Sequence, residues 1–89
     1  MPTVQLVISG KVQGVYYRAS AKETADALRV TGTIRNNRQG QVEIRATGPE
    51  TALKDFIAWC YDGPPGAFVS DIQIEKIKEE QFKGFSIVR

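Results

Sequence analysis

Residues 10–18 read GKVQGVYYR, and they join an alternating apolar stretch upstream to a helically spaced one downstream. Before the join, Val4, Leu6 and Ile8 share one face while Thr3, Gln5 and Ser9 share the other, which is the period of a half-buried strand. After it, Tyr17, Ala21, Ala25 and Leu28 recur at helical spacing, with Lys22, Asp26 and Arg29 opposite. A strand-to-helix turn leaves backbone N–H groups without intrahelical partners at the positive end of the helix dipole, the usual basis of an anion site. Gly10 and Gly14 allow the backbone to wrap closely, and Arg18 closes the turn with a planar, permanently charged fork of donors. A phosphoryl or carboxylate ligand is the first inference.

Working outward, Gly32 leads into a strand over about 33–37, and NNRQG at 36–40 carries the residues of a hairpin turn. A further alternating strand follows at 42–46. Gly48, Pro49 and Glu50 start a second helix, with proline suited to the first helical position and Leu53, Phe56, Ile57 and Cys60 on one stripe. GPPG at 63–66 stops it. A strand over 69–77, a polar turn near 79–81 and a short strand over 85–88 complete the chain. The order predicts an α+β, ferredoxin-like split βαβ sandwich, with two helices on one face of a mostly antiparallel sheet of four to five strands.

Composition narrows the chemistry. With 89 residues, 42% of them hydrophobic, one domain over residues 1–89 is expected. The chain contains no histidine and one cysteine, which removes the usual general base, the commonest metal ligand and any intramolecular disulfide, so neither a metal nor a cofactor is expected. Twelve basic and ten acidic residues, dispersed to a net charge of +2, form no block that would track nucleic acid. The N-terminus resembles neither a signal peptide nor a membrane span, so a cytoplasmic protein, expected to be monomeric, is the default.

Strand parity brings a second residue to the turn. Val30, Gly32, Ile34 and Asn36 share a side, and apolar Ile34 marks it as the core side. An inward amide at a strand end is costly unless its hydrogen-bonding groups are used. Asn36 either faces the loop and uses a water or ligand oxygen, or caps the hairpin, a task that Asn37 could equally perform. Arg18 likewise has a second reading, an ion pair with Glu23 or another carboxylate on the helix surface.

GKVQGVYYR at 10–18 and GTIRN at 32–36, together with GQVEIRATG at 40–48 and DGPPGAFV at 62–69, resemble the acylphosphatase family over nearly the whole chain. The resemblance implies a ferredoxin-like fold and hydrolysis of the carboxyl–phosphate bond of acyl phosphates. It implies a cradle of backbone donors over Gln13, Gly14, Val15, Tyr16, Tyr17 and Arg18, with Arg18 on the phosphate oxygens and Asn36 orienting the attacking water. Acyl phosphate and inorganic phosphate would be the small-molecule partners. The family pattern is closer to LGLxGWVRN, with an aspartate before the hairpin glycine, whereas this chain has Arg29, Thr33 and Gln39 at those places. These departures bear on stability, the outer sheet face and hairpin geometry.

Such a sparse site suits an activated substrate, because the leaving carboxylate has a conjugate acid of pKa about 4 and departs without protonation. Two other readings stand beside it. One is a non-catalytic domain binding acyl or carbamoyl phosphate, such as occurs within larger hydrogenase-maturation proteins; the short chain favours the free-standing enzyme. The other is an RNA-binding module of the same topology, weakly echoed by KGFSIVR at 83–89, although Glu43, Arg45 and Thr47 stand where stacking rings would be needed. Cys60 reads as a packing residue, Tyr16 and Tyr17 as packing and loop support, and Trp59 as a helix-to-sheet contact.

Overall fold

The computed structural model describes residues 1–88. The elements run β1 (Thr3–Lys11), α1 (Tyr17–Leu28), β2 (Thr31–Asn36), β3 (Val42–Thr47), α2 (Glu50–Asp62), β4 (Phe68–Ile77) and β5 (Phe85–Ile87). They build one five-stranded sheet in the order β4-β1-β3-β2-β5. Every pairing is antiparallel except β2 with β5, which is parallel. The fold is the ferredoxin-like α+β sandwich that the element order predicts.

One core joins both helices to one face of the sheet. Leu6 and Ile8 stand opposite Ile44 and Val42 in the β1–β3 register, and all four are buried with Ile34 of β2. From the helices, Tyr17, Ala21 and Ala25 meet Leu53, Phe56 and Cys60 in the same cluster. Phe56 of α2 lies edge-on to Phe85 of β5, with ring centroids 5.6 Å apart. Burying each such side chain contributes about 1.5–3 kcal/mol. Phe85, the aromatic of KGFSIVR, is therefore core and not an outward stacking ring. Trp59 differs from expectation: its rings are Tyr17 of α1 at 5.4 Å and Phe56 at 6.5 Å, so it belongs to the seam between helices.

The element ends differ from the expected ones for local reasons. β1 continues through a bulge between Ser9 and Gly10 to Lys11. There Gly10, at φ 128°, lies against β4, and a Cβ would overlap the Phe68 carbonyl oxygen. The neighbouring strand thus requires this glycine. β2 includes Gly32 and ends at Asn36, because Asn37 leaves the ladder to hold the hairpin. Pro49 stands one place earlier than predicted, as the N-cap of α2, with Glu50 first in the helix.

On the outer face, Thr3 and Thr47 are paired across β1 and β3, with Oγ1 atoms 2.6 Å apart. Thr47 Oγ1 donates to the Glu80 carbonyl at 2.7 Å and the Glu80 N–H donates to Thr3 Oγ1 at 2.9 Å. This buried polar latch secures the segment between β4 and β5. No helix among the described residues is long and apolar enough to cross a membrane.

Candidate active site

The turn between β1 and α1 forms one wall of a cleft of about 410 Å³, lined among others by Gln13, Gly14, Tyr16, Tyr17, Arg18 and Asn36. Val15 is the exception among the sequence-predicted loop residues: its side chain packs against the core. Gly14 adopts φ 75°, a conformation that glycine enters without penalty, and the space its Cβ would occupy is open. Tyr16 also lies in the left-handed region, at φ 62° and ψ 26°. α1 begins there with neither a side-chain cap nor an acidic residue in its first turn.

The consequence is a run of free donors. Ser20 N–H is bonded to the Tyr16 carbonyl at 3.0 Å, but no N–H from Gln13 to Ala19 has a hydrogen-bond acceptor among the described residues. A capped helix would have spent some of these groups on its own side chains. Here the dipole end and the unpaired donors combine in one concavity, the arrangement that favours an anion.

Arg18 lies in the first turn of α1 and also borders a second part of the cleft with Asn36, Ile87 and Val88. The ion pairs among the described residues join Met1 to Glu79, Lys22 to Asp26, Arg35 to Glu43 and Arg45 to Glu80. Arg18 is in none of them, so the Glu23 pairing is not formed.

Asn36 and Asn37 divide the two tasks left open by the sequence. Asn37 Oδ1 accepts the N–H groups of Gln39 at 3.0 Å and Gln41 at 2.9 Å, while its Nδ2 donates to Gln41 Oε1 and Glu43 Oε2, both at 2.9 Å. That bond, and next the bond from Arg35, holds the Glu43 carboxyl below its ordinary range. With the hairpin held by Asn37, Asn36 is released from capping. Its Oδ1 is buried in a residue that lines the cleft, and has no hydrogen-bond partner among the described residues. Leaving such an acceptor unmatched costs on the order of 1–3 kcal/mol, so something with a proton to donate is favoured there.

Two features escaped the sequence reading. Gln13 Nε2 donates to the Gln41 carbonyl at 3.2 Å and reaches the Asn37 carbonyl at 3.5 Å, tying the loop to the hairpin behind Asn36. Ile87 lines the cleft because the parallel register sets it beside Ile34. No local pattern announces either; both depend on pairings between distant segments.

Similarity to known proteins agrees with this geometry. A sequence profile of the acylphosphatase family matches residues 4–87. An acylphosphatase of Pelotomaculum thermopropionicum is 45% identical over 83 residues, which are 92% of this chain and 90% of that protein. The crystal structure of acylphosphatase from Bacillus subtilis superposes with a TM-score of 0.97 at 36% identity, covering all of both chains. Full-length HypF, in a phosphate- and nucleotide-bound crystal structure, contains a similar unit at TM-score 0.86 and 29% identity, covering 99% of this chain and 12% of that one. With a family match over almost its whole length and close relatives in sequence and in structure, the chain belongs to the acylphosphatase family.

Proposed function

We propose that this protein hydrolyses acyl phosphates to a carboxylate and inorganic phosphate by direct in-line attack of water. The phosphoryl group is bound by Arg18 and by the backbone N–H groups of Gln13, Gly14, Val15, Tyr16, Tyr17 and Arg18. Asn36 holds the water. The observation that carries this reading is the buried Oδ1 of Asn36, unmatched among the described residues, in the same cleft as those donors and as Arg18, which joins no ion pair among the described residues. An amide oxygen accepts a hydrogen bond from water and thereby aims one of the water's lone pairs.

The chemistry asks for little more. Phosphoryl transfer depends mostly on positioning and on gathering charge on the equatorial oxygens. The chain has no histidine, and the leaving carboxylate departs unprotonated, so a phosphoryl oxygen of the substrate takes the water's proton. The guanidinium and the helix N-terminus stabilise the charge that develops.

The test is phosphate release from benzoyl phosphate, measured beside calorimetric binding of inorganic phosphate. Arg18→Ala is expected to abolish both. Asn36→Ala is expected to keep phosphate binding and to lower kcat on the order of 100- to 1,000-fold, the range for loss of one preorganised group. Retained turnover in a folded Asn36→Ala protein would overturn the water-holding role. The likeness to part of HypF supports a second reading, a domain that binds an acyl or carbamoyl phosphate without hydrolysing it; it predicts phosphate binding with no release from benzoyl phosphate.

A further inference from the structure

Adjacent tyrosines in the loop have opposite surroundings. Tyr17 is 1% exposed and its hydroxyl donates to the Cys60 carbonyl at 2.7 Å, whereas Tyr16 is 84% exposed at the edge of the cleft. The left-handed backbone at Tyr16 sends consecutive side chains in different directions. Tyr61 and Phe68 are also exposed aromatics, but neither lines this cleft. In the proposed site the phosphate is held by Arg18 and loop N–H groups, so the Tyr16 ring is left beside it. That ring offers a π face to whatever the phosphate carries.

Ile87 and Val88 are exposed apolar neighbours of the same site. Ile87 also borders the adjoining hollow formed with Arg18, Asn36 and Val88, whereas Tyr16 lines the cleft with Gln13 and Gly14 and not that hollow. Of these exposed neighbours Tyr16 is the one that carries a ring.

We propose that Tyr16 is a specificity-determining residue whose ring packs on the acyl group, so that the site favours acyl phosphates with a planar, apolar acyl group over those as small as acetyl. This rests on the hydrolytic reading given under Proposed function. The contact is made in the bound ground state and persists through attack, so its loss raises KM more than it lowers kcat.

The experiment compares benzoyl phosphate with acetyl phosphate as substrates, and benzoylphosphonate with acetylphosphonate as non-hydrolysable ligands, for the wild type, Tyr16→Phe, Tyr16→Asn and Tyr16→Gly. Asparagine and glycine both accept the left-handed backbone, so at least one truncation is expected to fold. The benzoyl-to-acetyl ratio of kcat/KM, and the matching ratio of phosphonate affinities, should fall about three- to tenfold in the truncated variants and be kept in Tyr16→Phe. An unchanged ratio in a folded truncation overturns the proposal, as does an equal fall in Tyr16→Phe. Should the wild type bind the phosphonates and hydrolyse neither substrate, the hydrolytic reading fails while the affinity ratio still decides the role of Tyr16.

Discussion

Arg29 ends α1 at φ 59°, where its N–H reaches the carbonyls of Ala25 and Asp26 and Val30 N–H reaches Ala25 at 2.8 Å. This is the helix-ending arrangement that glycine serves best, because a Cβ in the left-handed region is strained. Arg29 is exposed and joins none of the ion pairs among the described residues, so nothing there offsets the strain. Arg29→Gly is expected to stabilise the protein by about 1 kcal/mol, read as a higher urea midpoint at unchanged slope. Activity should be unaffected, since Arg29 lies at the far end of α1 from Arg18. Asn36 and Asn37 show the limit of residue-level reading: both are asparagines at a strand end, and residue type alone gives them the same repertoire. Their different tasks follow from Asn37 being one place further on, where the chain has left the ladder and its side chain meets the turn amides.

At the scale of elements, the loop and the hairpin form one unit through Gln13. Its bonds to the Gln41 and Asn37 carbonyls bridge the strand-to-helix turn and the connection after β2, and Gln41 Nε2 returns a bond to Ser9 Oγ at 3.0 Å. Arg18 and Asn36 are thus set against each other by the frame behind them. Gln13→Ala should destabilise the fold by about 0.5–1.5 kcal/mol, the net worth of such a bond. It should also lower kcat more than phosphate affinity, because the proposed water site shifts relative to the proposed cradle. Equal losses in both quantities, or no loss in either, would count against the coupling. β1, β3 and the two helices were legible from periodicity, since each buries one face, whereas β4 buries only Ile72. The ends of the elements were less so, because the bulge at Gly10 and the exit at Asn37 depend on the strands alongside.

For the whole molecule, the buried contact between α1 and α2 sets an alkaline limit. Burial pushes the Cys60 thiol from 9.0 up to about 12. The Tyr17 phenol is also held above its ordinary value of 10.0, by burial first and by nearby Cys60 second. Both groups are protonated in the folded protein over a range in which the unfolded chain loses those protons. Stability is therefore full below about pH 9 and is lost as pH rises above it. Urea midpoints should be level over pH 6–8 and fall beyond pH 9, and Cys60→Ala should lessen the first part of that fall; a level midpoint to pH 11 would contradict it. The sequence by itself determined the order of elements, the single amphipathic core and the candidate anion turn, because periodicity, glycine positions and the lack of histidine are local or compositional properties. It also aimed Asn36 inward, since strand parity is fixed once one face is apolar. Only the tertiary structure decided that Arg18 stands outside the ion pairs among the described residues, that Asn37 frees Asn36 from the hairpin, and that Gln13 and Ile87 complete the walls of the cleft. Those are contacts between segments far apart in the chain, and the pairing of strands, not the residues one by one, brings them together.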